Sequence, residues 1–432
     1  MRDNISGTES ELAESAVDAT GAGGLTTRER NERETTAWAL LLEPEEFALE
    51  LRYGINPEQL ARAGAIDKSA PPIRLLSGRA SYINLLDALN AWQLVREAAS
   101  ALGLPVATSF KHVSPAGAAA SGDLDAVMEE TWAVESGALS PVAMAYIRAR
   151  DCDPKSSFGD FVAVSEPVDR SLARVLASVI SDGVIAPGFE PGVMDVLIKK
   201  KGGCYVVIEA DSSFRPPGWE KREVFGLKLE QQSAVTPVTK EAIRAGTTAV
   251  LPESTVADLV LASITARYTQ SNTVTYAKAG MVLGVGAGQQ SRVDCTKLAG
   301  AKVDTWWLRR HEDVRSLQFR SSARRQDRIN FQIRCVEGDL TTDERRRMRE
   351  VIDEVPEPIS AKKRSLWLRQ LADVSLASDG FLPFRDNIDQ AARHGVRYIA
   401  HPGGSTRAAE VQEACDEHDI RLVNTGIRLF HH

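Results

Sequence analysis

The amino-acid sequence predicts an α/β protein, built as sheet layers covered by helices and preceded by a disordered tail. Three observations lead there. Short runs rich in Val, Ile and Ala alternate with helical periods and Gly/Pro turns between Leu104 and Ile208, the rhythm of a layered α/β domain. The same rhythm returns between Gly280 and Asn424. Residues 1–35 carry Gly21, Gly23, Gly24, Thr26 and Thr27 among acidic residues and almost no bulky apolar side chains. Such a segment cannot bury enough surface to offset its ordering entropy.

Order is expected from Trp38 to Leu49, where Ala, Leu and Glu dominate. Leu51 to Gln59 reads as a short extended piece ending in a turn at Pro57. From Ser81 to Ala101, Leu85, Leu89, Trp92 and Val95 recur at helical spacing, and Gly103 supplies the stop. Leu104 to Phe110 then reads as a strand leading into a turn at Lys111-His112, with Ser114-Pro115-Ala116-Gly117 as a turn-rich ending behind it. Leu124 to Glu135 reads as helix, Phe161 to Ser165 as strand and Ser171 to Ile180 as helix. Val184 to Gly188, a helical Val193 to Lys200 and a strand-like Cys204 to Ile208 continue the alternation. A polar, proline-bearing stretch from Phe214 to Glu230 divides the halves. Beyond it, Glu253 to Thr275 reads mostly helical and Gly280 to Gly286 as a strand entering a glycine loop. Val303 to Ile333 and Thr342 to Val351 read as charged helices. Ser375 to Phe384, Tyr398 to Ala400 and Ile420 to Asn424 read as strands, with helix at Ala408 to His418. The expected domain plan is a tail at 1–35, a first unit at 36–230, and a second unit at 231–432 with a helical insertion.

The chain has 432 residues, 43% hydrophobic and 26% charged, ordinary proportions for a globular protein with room for two or three domains. A formal net charge of −7 argues against a general nucleic-acid or anionic-membrane binder. No apolar run reaches the ~18 residues of a membrane-spanning helix, and the N-terminus lacks the hydrophobic centre of a signal peptide. Cys152, Cys204, Cys295, Cys335 and Cys415 form no CxxC pair, which suits a reducing cytoplasm with neither a disulfide framework nor a zinc site.

The chemistry points first to Lys111-His112. Histidine titrates near neutral pH and can take a proton from a nucleophile; a neighbouring ammonium can hold developing negative charge. Gly284-Val285-Gly286-Ala287-Gly288-Gln289-Gln290-Ser291-Arg292 follows a predicted strand but lacks the third glycine of a dinucleotide-binding loop. It reads instead as a close-approach loop carrying polar contacts. Arg309, Arg310, Arg320, Arg324, Arg325 and Arg328 are interleaved with acids and read as solvated helix faces. Lys199-Lys200-Lys201 reads as a cationic helix end, and His311, His394, His401 and His418 as surface residues.

Several motifs are specific in combination. Leu51-Arg52-Tyr53-Gly54-Ile55-Asn56-Pro57, Ser109-Phe110-Lys111-His112-Val113-Ser114-Pro115-Ala116-Gly117, Ser156-Ser157-Phe158-Gly159-Asp160-Phe161 and Ser181-Asp182-Gly183 occur in that order. Tyr268-Thr269-Gln270-Ser271-Asn272, Gly286 to Arg292, Phe384-Arg385-Asp386-Asn387 and Arg428-Leu429-Phe430-His431-His432 follow. From Leu51 to His432 the sequence closely resembles the AICAR transformylase domain of the bifunctional purine-biosynthesis enzyme.

The resemblance implies transfer of a formyl group from 10-formyltetrahydrofolate to the 5-amino group of AICAR ribotide. It implies His112 as the base, Lys111 as the group stabilising the oxyanion or protonating the departing folate nitrogen, and Asn272 at the reaction centre. Arg52, Tyr53, Gly159, Asp182, Arg292, Phe381 and Arg428 would hold the ribotide, while Val293, Asp386, Ser405 and Thr406 would line the folate site. It further implies two cytidine-deaminase-like α/β/α units without catalytic zinc, and a homodimer whose active sites are shared between subunits. A monovalent cation is a further candidate cofactor. Two departures stand out. Only about 50 residues precede Leu51, so the cyclohydrolase domain is expected to be missing and ring closure to fall to a separate IMP cyclohydrolase. Glu58 stands where the family commonly has histidine, which keeps open a paralogue acting on a related amino-heterocycle nucleotide. A non-catalytic ribotide-binding regulator is the reading from another class.

Overall fold

The computed structural model describes residues 49–234 and 236–432. The expected tail and the segment expected to become ordered at Trp38 lie outside the described residues, apart from Leu49. By contact the chain divides into a small unit that includes Leu49–Glu50 and Arg62–Gly64, and a large one formed by Leu51–Ala61 and Ala65–His432. In the small unit, β1 (Leu49–Glu50) pairs antiparallel with β2 (Arg62–Ala63). Everything below concerns the large unit.

Its strands are β3 (Ile73–Ser77), β4 (Val106–Lys111), β5 (Ser114–Ala120), β6 (Asp160–Val164), β7 (Ser181–Ala186) and β8 (Val206–Ala210). They continue as β9 (Trp219–Val224), β10 (Leu227–Gln232), β11 (Val274–Lys278) and β12 (Met281–Gly286), then β13 (Val374–Ser378), β14 (Val396–His401) and β15 (Arg421–Asn424). Eleven of them form one mixed sheet in the order β15-β14-β13-β11-β12-β5-β4-β6-β7-β8-β3. The α/β class is therefore as the sequence predicts.

The sheet contains one topology twice. β4 and β5 form a hairpin, β6 lies antiparallel to β4, and β7 and β8 follow in parallel. β11 and β12 form the second hairpin, β13 lies antiparallel to β11, and β14 and β15 follow in parallel. The halves meet where β5 and β12 pair antiparallel at Ala119 and Met281.

The Tyr82–Leu102 helix has the termini its sequence specifies. Ser81 Oγ accepts the Asn84 N–H at 3.3 Å, Asn84 Oδ1 accepts the Ser81 N–H at 3.1 Å, and Gly103 is left-handed; both ends are thereby satisfied locally. Ala88, Ala91, Leu94, Val95 and Ala98 are buried on this helix, which packs on β4 and β6. The Pro141–Cys152 helix packs on β4 and β5, Glu253–Arg267 on β11 and β13, and Arg292–Leu308 on β12.

Four expectations are corrected. Ser114-Pro115-Ala116-Gly117 is the start of β5 rather than a turn-rich ending, while the turn expected at Lys111-His112 is present, centred on His112-Val113. Pro115 is tolerated there because it stands near the strand start beside a ladder irregularity. Gly117 is required by packing: a Cβ would stand 2.2 Å from the Ala149 carbonyl oxygen. The stretch 214–230 holds the β9–β10 hairpin, Glu253–Arg267 ends before β11 begins, and 303–333 is broken into helices at Arg292–Leu308, Glu312–Arg315 and Arg325–Glu337.

Candidate active site

Lys111 closes β4, and His112 and Val113 are the two central residues of the turn into β5. Both are left-handed, with φ of 53° and 60°. A two-residue hairpin favours this twist, but normally with Asn or Gly, and a β-branched valine there is an outlier. The Val113 N–H donates to Asp87 Oδ1 at 2.6 Å. Asp87 lies on the buried face of the Tyr82–Leu102 helix. Burial pushes its carboxyl up to about 6 despite that hydrogen bond, with the charge of Asp182 adding to the rise.

Around the turn, the Lys111 ammonium donates to the Phe158 carbonyl. A Cβ at the next residue, Gly159 (φ 75°), would stand 3.4 Å from Lys111 Nζ. Asp182, the second residue of β7, is half-buried and paired with Lys201. Arg52 is exposed; it donates to the Tyr53 hydroxyl at 2.8 Å and lies over its ring at 4.7 Å. That segment is tied to the start of the Tyr82–Leu102 helix through Arg52 N–H to Ala80 O at 2.9 Å and Tyr82 N–H to Tyr53 O at 3.0 Å.

Beneath Gly159 sits a buried ionic network. Arg150 Nη1 reaches Asp160 Oδ1 at 2.5 Å and the Tyr146 hydroxyl at 2.9 Å, and Ser109 Oγ donates to Asp160 Oδ2 at 2.7 Å. Burial opposes the Arg150 charge, but Asp160 outweighs it and raises the pKa above the ordinary arginine value. The Lys200 ammonium donates to the carbonyls of Leu176 and Val179, at 2.5 and 3.0 Å, and lies over the Tyr205 ring; burial lowers its pKa to about 8. Lys199-Lys200-Lys201 is thus not simply a cationic helix end.

The second group of predicted residues surrounds Arg292, which is buried and donates through both terminal nitrogens. It donates to Asp379 Oδ1, to Ser378 Oγ at 3.0 Å, to the Thr273 carbonyl at 3.4 Å and to Asn272 Oδ1 at 2.6 Å. Asn272 Nδ2 in turn donates to the Gln289 and Gln290 carbonyls at 3.0 and 3.2 Å, which fixes its amide against the glycine loop. Asp379 Oδ2 is buried without a hydrogen-bond partner. Phe430 lies 6.0 Å from the Arg292 guanidinium and 4.9 Å from that of Arg428. Arg428 and Phe381 are exposed.

The predicted folate residues border this group. Val293 is the second residue of the Arg292–Leu308 helix, and Asp386 begins the Asp386–Ala392 helix. Asn387 links those helices, donating to Asp386 Oδ1 at 2.8 Å and accepting from Thr296 Oγ1 at 3.4 Å. Ser405 and Thr406 lie in the loop after β14, where Ser405 Oγ accepts the Arg407 N–H at 3.1 Å.

The predicted residues therefore fall into two groups, one around Lys111 and one around Arg292. Among the described residues no hydrogen bond or ion pair joins them. β12 runs antiparallel to β5, so its Gly286 end points to the same side of the sheet as the His112 turn. Asp87 has no signal in the sequence; Asp160 and Asp379 stand in small-residue, acid and glycine motifs, Ser157-Phe158-Gly159-Asp160 and Ser378-Asp379-Gly380, that read singly as turns. His401 is buried rather than on the surface, accepting the Leu382 N–H at 3.3 Å and meeting Asn424 Oδ1 at 2.9 Å. His311 is also buried, and His394 meets Asp304 at 2.8 Å. Arg309 and Arg310 are buried against Asp151, at 2.9 and 2.8 Å, not solvated. Among the described residues no group of three or more His, Cys, Asp or Glu side chains is arranged to hold a metal ion, and no helix is long and apolar enough to cross a membrane.

The chain matches the family described as AICARFT/IMPCHase bienzyme over residues 15–302. It is 30% identical over 390 residues to the bifunctional purine biosynthesis protein PurH of Roseobacter denitrificans. It is 29% identical over 395 residues to that of Chlorobium phaeobacteroides, and 29% over 391 residues to that of Ruegeria sp.. These alignments cover 89%, 90% and 90% of this chain and 60% of each relative. The chain spans about 60% of the length of the curated relatives it matches.

Proposed function

The chain belongs to the AICARFT/IMPCHase bienzyme family, and we propose that it transfers a formyl group from 10-formyltetrahydrofolate to the 5-amino group of AICAR ribotide. The observation that carries this reading is the β4–β5 turn, which presents an exposed imidazole beside an ammonium at one edge of the sheet. His112 takes a proton from the amine as its nitrogen attacks the formyl carbon. The Lys111 ammonium stabilises the oxyanion that forms. The bond from the formyl carbon to the folate N10 then breaks, and N10 receives a proton from Lys111 or from protonated His112. One acceptor and one cation suffice for such an acyl transfer.

Arg52 and Arg428 are free to grip a phosphate by forked donation; among the described residues neither has a carboxylate partner. Tyr53, Gly159, Asp182 and Phe381 complete the ribotide site. Arg292 holds Asn272 through Nη2 and joins the ribotide site beside it. Val293, Asp386, Ser405 and Thr406 line the folate site. A monovalent cation fits best near the unpartnered Asp379 Oδ2, where it would supply fixed positive charge.

The two strand sets, in the proposed units 36–230 and 231–432, support the reading of paired deaminase-like folds working without zinc. A homodimer with shared sites is supported by the division of the predicted residues into two groups that, among the described residues, no hydrogen bond or ion pair joins. It is supported too by the β9–β10 hairpin, whose residues are exposed throughout and include Trp219, Phe225, Leu227 and Leu229. All five cysteines are free, which suits a cytoplasmic protein. Ring closure would fall to an IMP cyclohydrolase activity.

Glu58 favours the second reading, because it puts an exposed carboxylate on the loop that carries Arg52 and Tyr53. Mass spectrometry of products from a panel of amino-imidazole and amino-pyrazole ribotides, with 10-formyltetrahydrofolate, separates the two. The first reading expects a formamido product from AICAR ribotide and a loss of about 10²–10⁴ in kcat for His112→Ala. No product at high enzyme concentration overturns it; product with a pyrazole ribotide alone selects the paralogue. Ribotide binding without turnover by the wild type would select the regulator.

A further inference from the structure

Asp87 has a role that the catalytic pair does not explain. Its side chain is 5% exposed, and a carboxylate is costly to bury without a partner. Among the described residues, no lysine or arginine forms an ion pair with it. What it holds is the Val113 N–H, at 2.6 Å. That N–H belongs to a turn whose two central residues, histidine and valine, are both left-handed. Histidine tolerates that conformation, but a β-branched valine resists it. Nothing local in Lys111-His112-Val113-Ser114 specifies the turn, so a contact from elsewhere in the fold must.

We propose that Asp87 is the positioning residue of the catalytic turn: its carboxylate pins the Val113 amide and so fixes where His112 and Lys111 point. The charged groups facing it are Lys111 and Asp182, both of which belong to the site. The helix that carries Asp87 is capped at both ends and packed on β4 and β6, which makes it a rigid mount for a turn that would otherwise relax. The proposal rests on the reading of His112 as the base.

The test compares the full-length protein with Asp87→Asn, which keeps an acceptor oxygen, and Asp87→Ala, which does not. A third variant combines Asp87→Ala with Val113→Gly, because glycine adopts the left-handed turn without strain. Two readouts are used: hydrogen exchange of the Val113 amide, and kcat with KM for AICAR ribotide and 10-formyltetrahydrofolate. Asp87→Ala is expected to lose Val113 protection and about 100-fold in kcat, the scale of a small misplacement of a reacting group, with both KM values within about 3-fold. Asp87→Asn is expected to keep the protection and most of kcat, and the double variant to recover roughly 10-fold over Asp87→Ala.

Unchanged Val113 protection in Asp87→Ala overturns the proposal whatever the activity. So does equal loss of kcat in the asparagine and alanine variants, or a double variant no better than Asp87→Ala. A wild type inactive on AICAR ribotide would instead defeat the proposed reaction, while loss of Val113 protection in Asp87→Ala would still support the positioning contact.

Discussion

Asparagine at position 87 separates the charge of this side chain from its hydrogen bond, and the structure gives the size of the effect. Burial raises the Asp87 carboxyl from the ordinary 3.8 to about 6. At ~1.36 kcal/mol per pH unit, that rise corresponds to roughly 3 kcal/mol of difference between charged and neutral forms. The sign follows from the direction. A raised carboxyl pKa means that the fold disfavours the charge, so above pH 6 the folded protein carries the full cost. Between pH 6 and 4 the folded state takes up a proton that the unfolded chain does not yet bind, and wild type regains stability. Asparagine has no such proton. The stability of Asp87→Asn relative to wild type should therefore fall by about 3 kcal/mol between pH 7.5 and pH 4. Other titrating groups cancel in the comparison; those facing Asp87 are Lys111 and Asp182. Urea unfolding at half-unit pH steps measures it through paired midpoints and slopes. Stability curves that stay parallel across pH 4–6 would refute the reasoning.

Three further outcomes are expected. Arg150→Met leaves the fully buried Asp160 without its cation and should cost about 3–5 kcal/mol, read by urea or thermal unfolding. Gly286→Ala would set a Cβ 2.1 Å from the Cys295 carbonyl oxygen; pushing the Arg292–Leu308 helix off β12 should cost roughly 1–3 kcal/mol or more, and weakened folate binding in titration calorimetry should accompany it. Arg428→Ala removes an exposed guanidinium that the proposed reading assigns to the ribotide phosphate, so on that reading KM for AICAR ribotide should rise at least about 10-fold while the melting temperature stays within about 1 °C.

What the sequence made legible is what local chemistry decides. The Tyr82–Leu102 helix could be read because Ser81, Asn84 and Gly103 act within a few residues of the ends they cap. The strand at β4 could be read because its apolar run is buried almost throughout. The turn at Lys111-His112 could be read, but Ser114-Pro115-Ala116-Gly117, with its turn propensity, begins β5 instead, because the turn is held one residue on, at Val113, by Asp87 from 26 residues away. Arg309 and Arg310 looked solvated for the same reason: their acid, Asp151, lies 158 and 159 residues away. His401 likewise depends on Asn424 and Leu382, from two other segments. Tertiary partners at such separations leave no periodic or compositional trace.

The repeated topology accounts for how two unlike groups of residues reach one side of the sheet. In the first strand set the site side is the hairpin end: Lys111 closes β4, while Asp160 and Ser181 open β6 and β7. In the second set the hairpin turn at Ala279-Gly280 faces the other way. The site side there is where β13, β14 and β15 end, at Ser378, His401 and Asn424. Phe381, Ser405, Thr406 and Arg428 all follow those carboxyl ends, the position at which parallel strands commonly leave a ligand crevice. Joining the two sets antiparallel through β5 and β12 thus sets the tight His112-Val113 turn on the same side as the loops that follow β13, β14 and β15, which under the proposed reading carry the acid–base pair and the ligand contacts respectively. On the proposed reading, two copies of the same strand order divide chemistry from binding because each uses the opposite end of its hairpin.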